Sequence, residues 1–525
     1  GGAATAACKA LTSSRSCQWY NRVDEYVRRN PELNQEPIDI EELVRLGQSG
    51  GPCPYYLSKE MATNAELIFV PYNYLIDGRT RRSLGSIDWR NSIVIFDEAH
   101  NVESVCADNY SMDITAVSLA TAIQEVSRAR EIMLMGGADG VVGDQGDASE
   151  GGGALAGELK MLGGVLKAFE DKVSDFSVGD TGITRPGEFI FTFLAELNIT
   201  IETADSVCSK MEQAADVLVE QALSSGSKRG ARITNYKIAW LADCLRAIFK
   251  TNEMRGGAVA MSQGFRVHIH RQSMKNGRSA PTLSYWCFYP GLSMNDLASC
   301  GIRSVLLTSG TLSPLPSLAH ELSLPFPIRL ENPHVIDPKQ VCISVVSKGP
   351  SGVPLNSSYQ NRDNPRYKTD LGNAIVNFAR STPDGLLVFF PSYGQMQSCI
   401  DFWKDAATNG LSIWDRLAMH KHPVIEPRDS ATFAVAAATF KAKIDDPASS
   451  GAAFFAVCRG KVSEGLDFSD RAGRAVILTG IPYPMKTDPK VRLKQQVLDE
   501  EAAKHRRASG GRAPPTLSGS AWYSQ

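Results

Sequence analysis

The stretch Asn91-Ser92-Ile93-Val94-Ile95-Phe96-Asp97-Glu98-Ala99-His100 decides the fold. Its unbroken apolar run, residues 93–96, is typical of a strand covered on both faces in a parallel sheet. Such sheets bind ligands at the carboxyl ends of their strands, where Asp97 and Glu98 lie. In a nucleoside triphosphatase the first acid of such a pair holds Mg²⁺ and the second polarises the attacking water, and His100 could link this site to a neighbouring motif. The alternative is an ordinary acidic helix N-terminus, where Asp and Glu favour the helix dipole.

The composition predicts a multidomain protein. A chain of 525 residues with 43% hydrophobic content is too long for one core, so we expect about two to four domains. A net charge of −2 excludes a uniformly basic nucleic-acid surface and leaves room for a local groove. No stretch approaches the roughly 20 apolar residues of a membrane span, and no signal peptide is evident, which predicts an intracellular protein without a membrane partner. The chain lacks an initiator Met, and we expect it to be a fragment.

The eleven cysteines are an odd number spread over a long chain, so they do not suggest a disulfide framework. Three of them, Cys8, Cys17 and Cys53, lie in the first 64 residues. Prolines flank Cys53, and a rigid loop suits a thiolate ligand. A four-thiolate iron-sulfur cluster needs one more cysteine, so the spacing alone favours three unrelated buried cysteines.

Two further apolar runs are predicted to join the first sheet. Residues 65–74 predict a short buried strand broken at Pro71, and residues 305–308 predict another buried strand. The tripeptide Ser309-Gly310-Thr311 follows the second run, where hydroxyls and a permissive glycine can meet a ligand or a neighbouring side chain. By itself this tripeptide is a common turn.

Residues 109–281 differ in character and are interpreted as a helical insertion. Apolar side chains recur there at helical spacing, as at Val207, Met211, Ala214 and Leu218. The glycine-rich residues 136–157 predict a disordered loop. The alternation in residues 265–270 predicts a strand at the end of the block.

A second α/β block is predicted after residue 319. Its apolar runs are residues 386–390, 453–457 and 475–479, and each is followed by turn or polar residues, which predicts a second doubly wound sheet. The segment Arg459 to Phe468 combines charges and glycines after a strand and suits contact with phosphate or ribose, although a solvated loop is the alternative. Residues 504–517 are interpreted as a mobile basic loop.

In this order, the cysteine segment, the Asp-Glu-Ala-His strand end, the helical insertion and the second α/β block resemble the XPD-like superfamily 2 iron-sulfur DNA helicases. Within that family the telomere type is the closest match, with the transcription-repair and interstrand-crosslink types as rivals. The segments that carry this likeness are Thr181-Gly182-Ile183-Thr184-Arg185-Pro186-Gly187, Val267-His268-Ile269-His270, Leu283-Ser284-Tyr285-Trp286-Cys287-Phe288 and Ala456-Val457-Cys458-Arg459-Gly460-Lys461.

The resemblance implies an α/β fold with two RecA-like parallel-sheet motor domains, an iron-sulfur domain and a mainly helical Arch insertion. The implied boundaries are residues 1–64 for a partial iron-sulfur domain, 65–108 with 282–318 for motor domain 1, 109–281 for the Arch with its disordered loop 136–157, and 319–525 for a partial motor domain 2.

The resemblance also implies a role for each motif residue. Asp97 would hold Mg²⁺, Glu98 would be the catalytic base, and His100 would contact the coupling motif. The remaining implied site residues are Ser309, Gly310 and Thr311 of the coupling motif, Arg459, Glu464, Gly465 and Asp467 of the motif that joins ATP to DNA, and Cys8, Cys17 and Cys53 as the last three ligands of a [4Fe-4S] cluster.

The implied function is ATP-dependent 5′ to 3′ unwinding of structured DNA in the nucleus, for telomere maintenance, recombination control and DNA repair. Single-stranded and structured DNA would be the substrates, and replication or telomere proteins the candidate partners. The sequence contains no Gly-x-x-x-x-Gly-Lys-Ser/Thr phosphate loop and ends before the family's arginine-bearing helix. We therefore expect this chain alone to hydrolyse ATP poorly. The alternative is a catalytically inactive DNA-binding scaffold of the same fold.

Overall fold

The computed structural model describes residues 8, 11–34, 37–84, 87–136, 148–179, 181–224, 236–253, 264–273, 279–405, 407–408, 410–458, 460, 468–508 and 517–524. The chain forms two compact units: the first comprises Gly1–Glu331 and Pro489–Gln525, and the second Asn332–Asp488. This division differs from the predicted boundary at 318/319, and it separates residues 489–525 from the second α/β block.

The first unit begins with short helices and continues through a mixed helical and sheet region. Its elements in chain order are α1 (Val23–Arg29), α2 (Ile40–Gln48), α3 (Pro54–Met61), α4 (Tyr72–Ile76), α5 (Gly78–Ser83), β1 (Ile93–Phe96), α6 (Val102–Asn109), β2 (Met112–Thr115), α7 (Ala116–Gly136), α8 (Ala148–Ser174), β3 (Ile183–Pro186), α9 (Phe189–Ala195), α10 (Ala204–Ser224), α11 (Lys237–Glu253), β4 (Phe265–Ser273), β5 (Ser279–Cys287), α12 (Gly291–Ala298), β6 (Ser304–Leu307) and α13 (Leu315–Leu322).

The second unit alternates strands and helices, after which the chain returns to the first unit. Its elements are α14 (Pro365–Ser381), β7 (Gly385–Phe390), α15 (Tyr393–Asp405), β8 (Ala407–Thr408), β9 (Leu411–Ser412), α16 (Ile413–Ala418), β10 (His422–Ile425), α17 (Ser430–Asp445), β11 (Ala452–Val457) and β12 (Ala475–Leu478), followed in the first unit by α18 (Pro489–Ala508) and α19 (Gly519–Ser524).

The two strands predicted around the acidic motif pair with each other. β1 and β6 are parallel, with Phe96 opposite Leu307. Val94 and Phe96 are buried in a core that α6, α12 and α13 share, whereas Ile93 and Ile95 are 59% and 57% exposed. The prediction of a strand covered on both faces is therefore wrong, because the described helices of this unit cover one face of the pair.

The strand predicted in residues 65–74 is also wrong. Residues 65–71 are irregular, and the side chains of Leu67 and Phe69 are 70% and 89% exposed. A strand needs a neighbour to satisfy its backbone groups, and within the described ranges β1 pairs with β6 alone.

The insertion combines a helical core with an antiparallel sheet of strand order β2-β5-β4-β3. The predicted strand at residues 265–270 is confirmed within β4. Its partner β5 extends the sheet to Cys287, beyond the predicted boundary at 281. α8 begins at Ala148, so the loop predicted over 136–157 is wrong for residues 148–157, while residues 137–147 lie outside the described residues.

The second unit contains the second parallel sheet, with strand order β10-β11-β7-β12. The three predicted apolar runs form β7, β11 and β12. Phe390, Trp403 and Phe455 pack together on one face of this sheet. The α/β fold class with two parallel sheets and a mainly helical insertion is therefore confirmed.

The end of the chain is mostly helical. Residues 504–508 belong to α18, so the basic loop predicted over 504–517 is wrong there, and residues 509–516 lie outside the described part of the chain. Leu493 and Val497 of α18 pack against Trp286 and Phe288, which explains why this helix belongs to the first unit. Among the described helices, none has the length and apolar character to cross a membrane.

Candidate nucleotide site

The parallel pairing of β1 and β6 brings the two motifs of the first unit together. The Thr308 amide donates to the Phe96 carbonyl at 2.9 Å, and the Ala99 amide donates to the Thr308 carbonyl at 2.9 Å. The backbone ladder therefore continues beyond the strands. It places residues 97–100 directly beside residues 308–311.

The first acid, Asp97, lies at the open end of β1 with its side chain exposed. Thr308 Oγ1 donates to Asp97 Oδ1 at 2.9 Å and fixes the orientation of the carboxylate. An oriented carboxylate is the ligand type that Mg²⁺ prefers, and this ion is usually held by one or two carboxylates together with substrate phosphates and water. Asp97 fits that ligand set.

The second acid, Glu98, has φ +48° and ψ +47°. These angles lie in the left-handed region, which residues other than glycine rarely adopt. Such strain is common at functional sites, where surrounding contacts maintain it. Ser309 Oγ donates to Glu98 Oε2 at 2.9 Å. The predicted base is therefore held by the predicted coupling motif.

His100 completes this contact. Its Nδ1 lies 3.2 Å from both Ser309 Oγ and Glu98 Oε2. Because the Ser309 hydroxyl donates its hydrogen to Glu98, Nδ1 must carry a proton and donate. The predicted contact of His100 with Ser309 is present. Thr311 joins through its backbone amide, which lies 3.3 Å from Ser309 Oγ, while Gly310 lies between them with open space beside its Cα.

Two further residues of this site were not predicted. Thr308 directly follows the apolar run of β6, and a hydroxyl at a strand end was a signal that could have identified it. Tyr72 packs on Phe96 with ring centroids 5.5 Å apart. Burial, then Asp97 and Glu98, raise the pKa of Tyr72. Its place beside the acids depends on tertiary packing, for which the sequence gives no signal.

The three predicted cluster ligands lie near one another. The Cys53 amide donates to the Trp19 carbonyl at 3.0 Å, which ties Cys53 to the segment after Cys17. Burial, then the neighbouring Cys53 and Cys17 thiols, raise the pKa of Cys8. No group of three metal-ligating side chains in the described part of the chain converges on a single ion. A [4Fe-4S] cluster distributes its thiolates over separate irons, so three neighbouring thiols that do not converge still fit it.

Most of the predicted motif in the second unit cannot be placed. Arg459, Glu464, Gly465 and Asp467 lie outside the described residues. Among the described residues of this unit, Glu426 is 2% exposed and accepts from the Val457 amide at 2.8 Å, at the end of β11. Sequence reasoning missed Glu426, although it follows an apolar run as Asp97 does.

Comparison with known proteins gives three family matches along the chain, with residues 291–374 outside them. Residues 1–119 match the DEAD_2 model, residues 121–290 match "RTEL1 helicase, ARCH domain", and residues 375–525 match "Helicase C-terminal domain". The ARCH match extends past residue 281, in agreement with the end of β5 at Cys287.

Similar full-length proteins have consistent names. The Regulator of telomere elongation helicase 1 homolog of Arabidopsis thaliana is 45% identical over 538 residues, which cover 100% of this chain and 49% of the relative. The human Regulator of telomere elongation helicase 1 is 37% identical, with 99% of this chain and 43% of the relative covered. A solved structure named XPD_Helicase is 17% identical with a TM-score of 0.42, covering 91% of this chain and 72% of that structure.

The chain thus spans about half the length of the curated relatives that it matches. Across that span the ARCH domain match and the sequence identity both support the telomere type. The chain belongs to the family of the regulator of telomere elongation helicase.

Proposed function

We propose that the protein containing this chain is an ATP-dependent DNA helicase that moves 5′ to 3′ on single strands and unwinds structured DNA. The contact of Glu98 with Ser309 and His100 is the observation that carries the proposal most directly. It joins the residue proposed to act on water to a motif on the neighbouring strand. A protein that binds DNA without hydrolysis would have no need for this arrangement.

In the proposed reaction Asp97 ligates Mg²⁺ beside the nucleotide phosphates, with Thr308 keeping its carboxylate oriented. Bound Mg²⁺ would neutralise charge on the transferred phosphoryl group. Glu98 orients and polarises the attacking water. His100 and Ser309 hold the Glu98 carboxylate. Because Ser309 follows β6, a movement of β6 would change the position of this carboxylate.

DNA binding in this proposal relies on a local basic groove, because the chain as a whole carries a net charge of −2. Phosphate contacts of this kind are largely independent of sequence, and aromatic side chains can add stacking. Arg459, Glu464, Gly465 and Asp467 are proposed to join ATP to DNA from the second unit. Telomere maintenance, recombination control and DNA repair in the nucleus are the proposed context, with replication or telomere proteins as partners.

Cys8, Cys17 and Cys53 are proposed to supply three thiolates of a [4Fe-4S] cluster. The proximity of Cys53 and Cys17 to Cys8, which raises the pKa of the Cys8 thiol, supports this assignment. In the full-length protein, Cys53→Ser should lower iron and sulfide content after anaerobic reconstitution. Cys342→Ser is the matched control, since Cys342 is an exposed cysteine far along the chain. Equal iron content in the two variants would remove Cys53 from the ligand set.

Strand separation tests the proposed function directly. The full-length protein should unwind a duplex with a 5′ single-stranded tail in the presence of ATP and Mg²⁺, and a duplex with a 3′ tail far less. Glu98→Gln should abolish unwinding while DNA affinity stays unchanged. ATP-independent DNA binding without unwinding by the unsubstituted protein would instead support the scaffold alternative.

A further inference from the structure

Lys494 of α18 forms a buried ion cluster with two carboxylates. Its side chain is 7% exposed, and Nζ lies 2.6 Å from Glu103 Oε1. Glu321 Oε1 lies 3.3 Å from the same nitrogen, and its side chain is 8% exposed. The Lys494 ammonium also lies 5.5 Å from the centre of the Trp522 ring, within the range of a cation–π contact.

The two carboxylates belong to the helices that follow the two motifs of the nucleotide site. Glu103 lies in the first turn of α6, which begins just after His100. Glu321 lies near the end of α13, which follows the Ser309 motif. One ammonium group therefore contacts both helices that leave this site.

The position of Lys494 is fixed by the rest of α18. Arg266 donates to Glu500 at 2.5 Å, with the Arg266 side chain 9% exposed. Leu493 and Val497 pack against aromatic side chains of β5 and its extension. α18 cannot move on the sheet without breaking these contacts. Lys494 is consequently a fixed point rather than a mobile surface charge.

The charge state of each group in the cluster depends on its partners in the cluster. Burial would lower the pKa of Lys494, but Glu103 and Glu321 outweigh it and raise the pKa, so the ammonium stays charged. Burial and Glu103 raise the pKa of Glu321 to about 7. Removal of one partner from a buried ion cluster of this kind strongly destabilises the protein, because the remaining charges lose their compensation.

We propose that Lys494 is a positioning residue that holds α6 and α13 together and thereby keeps Glu98 in contact with Ser309 and His100. The inference rests on the proposed function, since it assigns Lys494 to the same ATP-hydrolysing site. Lys494 does not touch the reacting atoms. It acts through the two helices, so its loss should affect turnover more than nucleotide affinity.

The test uses Lys494→Met in the full-length protein, with Lys490→Met as the matched control. Lys490 lies one turn earlier on α18 and pairs with Asp108 at 2.7 Å, but both side chains are well exposed, 41% and 65%. The measurements are kcat and KM for ATP with saturating single-stranded DNA. Because small displacements of catalytic groups are costly, Lys494→Met should lower kcat by roughly 10-fold to 100-fold. KM should change by less than about twofold, and Lys490→Met should change neither value by more than about twofold.

A triple variant separates positioning from folding. Glu103→Gln, Lys494→Met and Glu321→Gln together leave no uncompensated buried charge, so the melting temperature should recover. The inference predicts that kcat stays low in this variant. Recovery of kcat together with the melting temperature would overturn the inference, as would an unchanged kcat in folded Lys494→Met.

Hydrogen exchange distinguishes failure of this inference from failure of the proposed function. The Ala99 amide is bonded to the Thr308 carbonyl, so its exchange reports whether the two motifs stay together. Lys494→Met should accelerate its exchange at least about 10-fold, and Lys490→Met should leave it unchanged. If the unsubstituted protein hydrolyses no ATP, the proposed function fails. An Ala99 exchange rate that is unchanged in Lys494→Met would overturn the Lys494 inference independently of that result.

Discussion

Individual residues carry strain and close contacts at two sites of the first unit. Glu98 adopts a left-handed backbone at the end of β1, where Ser309 and His100 hold its carboxylate. Gly182 adopts φ +73° beside β4. A Cβ at Gly182 would lie 2.6 Å from His268 Cε1 and 2.9 Å from the Ile269 carbonyl. Glycine is therefore required at this position for both its backbone and its lack of a side chain.

We expect Gly182→Ala to lower the free energy of unfolding of the first unit by about 2–4 kcal/mol, since overpacking and left-handed strain add. The His268 ring cannot yield easily, because Thr184 Oγ1 holds its Nδ1 at 2.9 Å and Trp286 stacks on it. Denaturant unfolding measures the change. Gly179→Ala is the control and should cost less than about 0.5 kcal/mol, because Gly179 has open space around it. Equal effects of the two substitutions would contradict this account.

The site residues show what the sequence could predict at this scale. An apolar run followed directly by acids predicted Asp97 and Glu98 as site residues, since parallel strands present their carboxyl ends to ligands. The contact between His100 and Ser309 required a family resemblance, because the two residues are far apart in the chain. Tyr72 and Lys494 were missed for the same reason: only the tertiary fold places them beside the motifs or their helices.

At the scale of the elements, the contact between α13 and α18 includes the carboxyl group of Glu321, which titrates near neutral pH. Burial and Glu103 raise the pKa of Glu321 from 4.5 to about 7. The folded protein therefore binds the Glu321 proton more tightly than the unfolded chain does. Stability from this group is greatest below about pH 4.5 and falls as the pH rises towards 7.

Glu321→Gln removes this titration, so its stability relative to the unsubstituted protein should rise between about pH 4.5 and 7. Across this range the difference should change by roughly 3 kcal/mol, from about 1.4 kcal/mol for each pKa unit, on top of any constant cost of removing one member of the cluster. Urea unfolding across this pH range measures the difference. Glu188→Gln, at an exposed glutamate, should show no such trend. A difference that stays constant with pH would contradict the raised pKa of Glu321.

Elements with a strong apolar pattern were predictable, and those decided by packing were not. The glycines at the start of α8 suggested disorder, since glycine costs a helix about 1 kcal/mol. The helix forms because Leu159, Leu166 and Phe169 are buried in the insertion core, and tertiary packing of an apolar face outweighs propensity. Conversely, the apolar residues 67–70 form no strand: in the described part of the chain β1 pairs with β6 alone, and the side chains of Leu67 and Phe69 stay exposed.

At the scale of the whole molecule, the chain returns to the first unit after completing the second. The second unit, Asn332–Asp488, contains its own sheet and apolar cores. The first unit depends on α18 for cover over Trp286 and for the cation between Glu103 and Glu321. The sequence suggested two α/β blocks in order. It did not predict this return, because α18 reads as an ordinary charged helix.

Deleting residues 489–525 should therefore destabilise the first unit and spare the second. Loss of the buried Leu493 and Val497 side chains alone should cost roughly 3–5 kcal/mol. Peptide-resolved hydrogen exchange should show faster exchange in α6 and α13 and unchanged exchange in β7 and β11. An equal increase in exchange across both units, or no increase in the first unit, would contradict this division.

The rate of ATP hydrolysis by the full-length protein, with and without single-stranded DNA, tests the central claim most directly. The account predicts hydrolysis that DNA stimulates and that Glu98→Gln reduces about 10²-fold to 10⁴-fold, the usual contribution of a general base. KM for ATP should change little, because the proposed Mg²⁺ ligand, Asp97, is retained. Turnover at the unsubstituted rate in Glu98→Gln would contradict the proposed mechanism and remove Glu98 from catalysis.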